Sequence, residues 1–166
     1  MIDKTPIVLL NGWASDPGVW IYQESYFSSQ QLIKIKFHKG VEMAPAGQQP
    51  SLYSVAALEE INKATDQQVI LLGWSLGALV ALEIAHQSPQ KILGMILVGG
   101  TSRFTQDEGY DGGLAKVLVK RLKKRLLSNP TQALKDFEAL MFCPEEREAG
   151  IEEGFRQRAL AQELDW

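Results

Sequence analysis

Short apolar runs recur through the first hundred residues. Three of them are brief, rich in β-branched residues and closed by glycine or asparagine, which is typical of strands buried on both faces: Ile7 to Leu10, Val69 to Leu72 and Met95 to Val98. Residues Leu32 to Phe37 alternate apolar side chains with lysine, which indicates a strand nearer to a sheet edge.

Helical periodicity fills the intervals between these strands. Residues Ser51 to Thr65 place their apolar side chains close to one stripe, after the turn signal Gln49-Pro50. Residues Leu76 to Gln87 are apolar almost all round, which predicts a helix packed deep against the sheet. Strands that alternate with helices predict an α/β fold with a doubly wound, mostly parallel sheet.

The pattern changes after Gly99-Gly100-Thr101. From there we expect helices alone, which divides the chain into a sheet-based part, 1–101, and a helical part, 102–166. The first helix is predicted from Asp111 to Leu127, the second from Pro130 and the third from Pro144 to the end. The apolar face of the first helix is predicted to comprise Leu114, Val117, Leu118, Leu122 and Leu126.

Composition narrows the class of protein. The 166 residues are 45% hydrophobic with a net charge of −3, which fits one globular core and gives no general attraction to nucleic acid or to an anionic membrane. Neither a signal peptide nor a membrane-spanning run is recognisable, so the cytoplasm is the expected compartment. The single cysteine, Cys143, suits a reducing compartment and is expected to be a small buried hydrophobe.

A G-x-S-x-G motif lies between a predicted strand and a predicted helix. In Gly73-Trp74-Ser75-Leu76-Gly77, the sharp turn from strand to helix forces Ser75 into a strained backbone conformation and exposes its hydroxyl. The glycines remove side chains that would collide with neighbouring elements. The motif therefore predicts Ser75 as a nucleophile; the alternative is a serine that only caps a helix.

A nucleophilic serine needs two N–H donors for the oxyanion. One is predicted on Leu76, the residue after the nucleophile. The loop Asn11-Gly12-Trp13-Ala14 follows the first strand, where the second donor belongs, and Trp13 N–H is the candidate. The alternative is a plain glycine turn in which Trp13 and Trp20 are core aromatics.

These two segments, residues 9–20 and 72–81, resemble the α/β-hydrolase family, and within it the pimeloyl-[acyl-carrier-protein] methyl ester esterases of biotin synthesis. The resemblance covers the whole chain and implies an α/β-hydrolase core followed by a helical lid. It implies a serine carboxylesterase with Ser75 as nucleophile, Trp13 and Leu76 at the oxyanion hole, and acyl-chain contacts from Trp13, Phe137, Leu140 and Met141. Phe137 and Met141 are four residues apart, so one helix would turn both toward the same cleft.

The sequence departs from this family in two respects. Asn11 occupies the position where the family usually has histidine. The change is mild, because the oxyanion donor in this loop is a backbone N–H and not the side chain. The triad acid and base are also missing: His86 lies on the helix that follows Ser75, roughly 16 Å along its axis. His38 precedes the serine, and Asp107, Asp111 and Asp165 fall in the helical part. We therefore expect a chain truncated within the lid, with the C-terminal strands missing.

Other functions remain open from the sequence. A related acyltransferase, peptidase or C–C hydrolase would show the same motif, and an inactive fragment would as well. No metal or organic cofactor is implied. The expected partner is a small acyl ester, presented on acyl carrier protein. A basic cluster is predicted on the first lid helix; it is either a solvated helix face or a surface that docks an acidic carrier. Its members are Lys116, Lys120, Arg121, Lys123, Lys124 and Arg125.

Overall fold

The computed structural model describes residues 4–37 and 50–159. Four strands and seven α-helices lie in these ranges, with three short 3₁₀ helices at Pro17–Trp20, Ser25–Phe27 and Pro89–Lys91. The strands are β1 (Ile7–Leu10), β2 (Leu32–Ile35), β3 (Val69–Trp74) and β4 (Ile92–Val98). The helices are α1 (Ile21–Glu24), α2 (Leu52–Ala64), α3 (Leu76–Gln87), α4 (Lys116–Ser128), α5 (Pro130–Ala139), α6 (Pro144–Glu148) and α7 (Ile151–Ala159).

The four strands form one parallel sheet in the order β2-β1-β3-β4. Ile7 is level with Leu32 on one side and with Ile70 on the other, so β1 and β3 occupy the centre. The α/β class and the parallel sheet are therefore confirmed. The alternating strand β2 lies at an edge, as its lysines predict.

Both faces of the central strands are covered. On one face, Val8, Leu10 and Leu71 pack with apolar residues of α2 and α3, including Ile61 and Ile84. On the other face, Ile7, Leu9 and Leu72 pack with Trp20, which is 5% exposed. This alternation follows from the two-residue period of a strand. The parallel pairing of Leu10 with Gly73 places the carboxyl ends of β1 and β3 side by side.

Strand β4 differs from the buried strand that its sequence predicts. It is the edge strand of the described sheet, and Met95, Ile96 and Val98 are 41%, 49% and 46% exposed. Within the described ranges no further strand pairs with its outer edge. The apolar run correctly indicates a strand, but the side chains are not covered.

The chain divides by its contacts into two compact units, one ending at Ser102 and the other starting at Arg103. In the second unit the predicted first helix starts late, because α4 begins at Lys116 and not at Asp111. The predicted third helix is broken into α6 and α7 at Gly150, whose φ of 73° is incompatible with a continuous helix. The interpretation of this unit as a lid stays a prediction.

The predicted apolar face of α4 is partly wrong. Leu114, Val117 and Leu118 are 46%, 53% and 49% exposed, and no residue of α4 is buried. Leu114 precedes the helix. Because each residue of a helix is rotated by about 100° from the one before, Val117 lies far around the helix from the stripe formed by Leu122 and Leu126. Cys143 was also expected to be buried, but it is exposed at the start of α6.

Candidate active site

Ser75 joins β3 to α3 in a strained conformation. Its φ is 53° and its ψ is −114°, a combination that costs on the order of 1–3 kcal/mol for a residue with a side chain. The backbone around it is held firmly, since Ser75 N–H donates to Val98 O at 2.9 Å and Ser75 O accepts from the N–H of Ala78 at 3.0 Å. Strain of this kind, maintained by neighbouring bonds, is typical of functional sites.

The two flanking glycines are required by close backbone contacts. A Cβ on Gly77 would lie 2.0 Å from Leu10 O, and one on Gly73 would lie 2.5 Å from Gly77 O. Only glycine allows α3 to start this close to the end of β1. The collision that the motif predicts is therefore observed, and Ser75 is held at the carboxyl edge of the sheet.

Leu76 is the first residue of α3. Amides in the first turn of a helix have no acceptor within the helix, and they lie at the positive end of its dipole. The Leu76 side chain packs against the core formed by β1, β3 and α3, which fixes this end of the helix. The N–H next to Ser75 is thus a suitable donor to an oxyanion.

The loop after β1 forms a tight turn from Gly12 to Ser15. Gly12 O accepts hydrogen bonds from Ser15 N–H at 3.4 Å and from Ser15 Oγ at 2.8 Å. Ala14 has a φ of 59°, a conformation usually left to glycine or asparagine. Trp13, the second predicted oxyanion donor, is partly buried in the middle of this turn.

Asn11 is fully buried at the base of this turn. Its Nδ2 donates to Ser15 O and, at 3.2 Å, to Gly12 O. Its Oδ1 is buried without a partner among the described residues, which costs about 1–3 kcal/mol. The sequence interpretation treated Asn11 only as a departure from histidine and missed these bonds, because they depend on the turn bringing Ser15 back to it.

Trp74 is a second residue that the sequence interpretation missed. A Cβ on Gly12 would lie 2.8 Å from two carbons of its six-membered ring, and one on Gly99 would lie 3.8 Å from its Cδ1. The indole thus lies against Gly12 while its backbone adjoins Ser75. An aromatic residue next to the predicted nucleophile, with glycine at position 12, is the signal that could have identified the contact.

The triad acid and base are not identified among the described residues of the first unit. His86 is exposed near the carboxyl end of α3, far along the helix from Ser75. His38 and Asp165 lie outside the described residues. Asp107 forms ion pairs with Arg103 and Lys116 at 2.7 and 2.9 Å, and the hydrogen bond from Lys116 lowers the pKa of its carboxyl group.

The predicted acyl-chain contacts lie in the second unit. Phe137 is on α5 and partly buried, but Leu140 is 84% exposed just beyond the helix. Met141 is in the following turn, so the argument that Phe137 and Met141 share one helix face is wrong. Helix α5 ends at Ala139, since the N–H groups of Leu140 and Met141 donate three residues back, to Phe137 O and Glu138 O.

The second unit also contains a buried acid. Glu138 on α5 is 5% exposed and accepts a hydrogen bond from Arg156 Nε at 2.8 Å. This bond raises the pKa of the Arg156 guanidinium and ties α5 to α7. It has the features of a structural contact.

Neither a metal centre nor a membrane span is indicated in the described part of the chain. Residues 4–37 and 50–159 contain no group of three or more metal-ligating side chains close enough to hold an ion. None of their helices combines the length and the hydropathy needed to cross a bilayer.

Known proteins resemble the chain in both sequence and structure. Residues 50–142 match the alpha/beta hydrolase fold family. The chain is 30% identical over 138 residues to the biotin biosynthesis bifunctional protein BioHC of Cellvibrio japonicus, covering 81% of the chain and 26% of that protein. It is 31% identical over 144 residues to the pimeloyl-[acyl-carrier protein] methyl ester esterase of Methylococcus capsulatus, covering 86% of the chain and 56% of that protein.

Two solved structures share the fold. An esterase from Exiguobacterium antarcticum superposes with a TM-score of 0.69 at 22% identity, over 90% of the chain and 59% of the esterase. The esterase RhEst1 from Rhodococcus sp. superposes with a TM-score of 0.64 at 24% identity, over 91% of the chain and 58% of that esterase. The chain thus spans at most about three fifths of the length of these four proteins. By the match to residues 50–142, the chain belongs to the α/β-hydrolase fold family.

Proposed function

We propose that this chain carries the nucleophile half of a serine carboxylesterase, with Ser75 as the attacking residue. The strained backbone of Ser75, at the junction of β3 and α3 and between two obligatory glycines, is the observation that carries the proposal. The N–H groups of Trp13 and Leu76 form the oxyanion hole. The acyl-chain contacts expected from Trp13, Phe137, Leu140 and Met141 stay a prediction.

The proposed reaction transfers an acyl group first to Ser75 and then to water. A histidine, which is not assigned among these residues, takes the Ser75 proton as Oγ bonds to the ester carbonyl carbon. The two N–H donors stabilise the negative charge that develops on the carbonyl oxygen. The C–O bond to the alcohol breaks as the histidine returns the proton, and water then cleaves the acyl-enzyme to release the acid and free serine.

The proposed substrate is the methyl ester of a pimeloyl group held on acyl carrier protein. The names of two relatives support it, since one is a pimeloyl-[acyl-carrier protein] methyl ester esterase and the other a biotin biosynthesis protein. The basic cluster on α4 also supports a carrier-bound ester. It contains six cations and no carboxylate, and an acidic carrier would be attracted to it.

Replacement of the nucleophile tests this function. In the protein expressed from its complete reading frame, Ser75→Ala should lower kcat for p-nitrophenyl butyrate and for the carrier-bound methyl ester by about 10³-fold or more. It should also abolish covalent labelling by a fluorophosphonate probe. The matched control, Ser25→Ala, removes an exposed hydroxyl that donates to Tyr22 O and should leave both rates unchanged. Hydrolysis that survives in Ser75→Ala would refute the assignment.

A further inference from the structure

The Gly12–Trp13 peptide is held from two sides. Its carbonyl oxygen, Gly12 O, faces three donors: Ser15 N–H, Ser15 Oγ and Asn11 Nδ2, at 3.4, 2.8 and 3.2 Å. On another side the Trp74 indole lies against the Gly12 Cα, where a Cβ would clash at 2.8 Å. The peptide plane therefore has little freedom to rotate.

The direction of the carbonyl determines the direction of the amide. A trans peptide is planar, so its C=O and N–H point to opposite sides of the C–N bond. Because Gly12 O is directed into the turn, Trp13 N–H is directed out of it. The same bonds that close the turn thus fix the direction of the N–H that the proposed function assigns to the oxyanion hole.

The orientation of the Asn11 amide is well determined. Two of its neighbours, Gly12 O and Ser15 O, are carbonyl oxygens that can only accept, so the Nδ2 group must face them. Asn11 is fully buried, and its Oδ1 has no partner among the described residues.

We infer that Asn11 is a positioning residue for the oxyanion hole: with Ser15, its side-chain amide fixes the Gly12–Trp13 peptide so that Trp13 N–H faces the reacting oxygen. This inference rests on the proposed function and deepens it. Asn11 acts through the backbone and touches no substrate. The side chain of Asn11 also accounts for the positive φ of Ala14. Its bonds hold both ends of the turn, so the backbone of Ala14 cannot relax to a negative φ.

The side chains of Asn11 and Ser15, which both bond to Gly12 O, are called the clamp below. Two variants of this clamp test the inference in the protein expressed from its complete reading frame. Ser15→Ala removes one donor to Gly12 O at a partly exposed position, and Asn11→Asp keeps the shape of the side chain but replaces the donor with an acceptor. We expect kcat for p-nitrophenyl butyrate to fall about tenfold in Ser15→Ala and about 100-fold in Asn11→Asp at pH 8, with KM within about twofold of the parent. The control Ser25→Ala loses an equivalent serine-to-carbonyl bond three residues back and should change neither constant.

A second measurement is independent of activity. In protein labelled with ¹⁵N-tryptophan, the backbone amide signal of Trp13 should move in both clamp variants and not in Ser25→Ala. If Asn11→Asp does not fold, Ser15→Ala alone decides. A kcat within about twofold of the control in every folded clamp variant would overturn the inference. If Ser75→Ala shows that the proposed function is wrong, the amide signal decides: an unmoved Trp13 signal rejects the clamp, and a shifted one supports it.

Discussion

Ser75 and Ala14 are the two non-glycine residues with positive φ in the described ranges, 4–37 and 50–159. Each follows a central strand of the sheet, β3 or β1, and the two strands end side by side. Positive φ costs a residue with a Cβ roughly 1–2 kcal/mol, so neither conformation would persist without tertiary support. At Ser75 the support comes from Val98 O and the start of α3; at Ala14 it comes from Asn11 and Ser15.

The strain at Ala14 can be measured as stability. We expect Ala14→Gly to raise the free energy of unfolding by about 0.5 kcal/mol, because relief of the positive φ exceeds the entropy that glycine adds to the unfolded chain. Ala56→Gly, at an exposed position within α2, should instead lower it by about 1 kcal/mol. Urea unfolding of the protein from its complete reading frame compares the two. Destabilisation of equal size by both substitutions would show that Ala14 is not strained.

The contact between Gly12 and Trp74 can be isolated by a double-mutant cycle. Gly12→Ala should lower the free energy of unfolding by about 1–3 kcal/mol, since its Cβ would lie 2.8 Å from the indole ring. In a Trp74→Leu background the same change should cost at least about 1 kcal/mol less. Gly94→Ala is the control, because nothing lies within 4 Å of a Cβ there. Additive effects of the two substitutions would refute the contact.

Among the described elements, helix α4 carries the largest net charge, because it has six basic residues and no acidic one. Of its six basic residues, Lys116 pairs with Asp107 and Arg125 with Asp136, whereas Lys120, Arg121, Lys123 and Lys124 form no ion pair with described residues. The whole chain has a net charge of −3, so the cluster is a local cationic surface on an acidic protein. The proposed acidic carrier would be attracted to such a surface.

Charge reversal on α4 tests carrier docking. Combined Lys120→Glu, Lys123→Glu and Lys124→Glu should lower kcat/KM for a carrier-bound ester about tenfold or more and reduce its salt dependence. Hydrolysis of p-nitrophenyl butyrate should be unchanged. The control reverses two exposed lysines of the first unit, Lys36→Glu and Lys63→Glu. Equal losses with both substrates, or equal losses in the control, would show that the cluster is only a solvated face.

The elements differ in how far the sequence determines them. Helix α3 has the predicted bounds, because the turn at Ser75 and the apolar run to Gln87 mark both ends. Helix α4 begins late, since the backbone of Leu114 bonds to Phe104 O and Gln106 N–H before the helix can start. At the site, Ser75 and its glycines follow from local motif chemistry. The Asn11 clamp does not, because it requires a positive φ at Ala14 that an alanine does not signal.

At the scale of the whole molecule, the described site contains the proposed nucleophile, Ser75, without an assigned base. We expect the 166-residue chain alone to show no turnover of p-nitrophenyl acetate or butyrate above background, since a serine hydroxyl at its ordinary pKa is a weak nucleophile. The comparison is with the Ser75→Ala variant of the same chain, which should give the same rate. Turnover that disappears in that variant would mean that some residue of this chain, with His38 the first candidate, does act as base.

The two edges of the sheet have opposite character. Strand β2 carries Lys34, which pairs with Glu24 at 2.7 Å, whereas β4 has no charged residue between Ile92 and Val98. The apolar side chains of β4 are 41–49% exposed from Met95 to Val98. An exposed apolar edge strand without a charge is a template for pairing with other chains.

We therefore expect the 166-residue chain, expressed alone, to aggregate or to behave as a molten globule, as judged by size-exclusion chromatography and calorimetry. Ile96→Lys should increase the monomeric fraction, because a charge on the edge strand opposes pairing. Tyr26→Lys, at a residue that is 84% exposed on a 3₁₀ helix away from the sheet, should not. A monodisperse monomer with a sharp cooperative thermal transition would contradict the prediction, since it would show that β4 needs no cover for the fold to be stable.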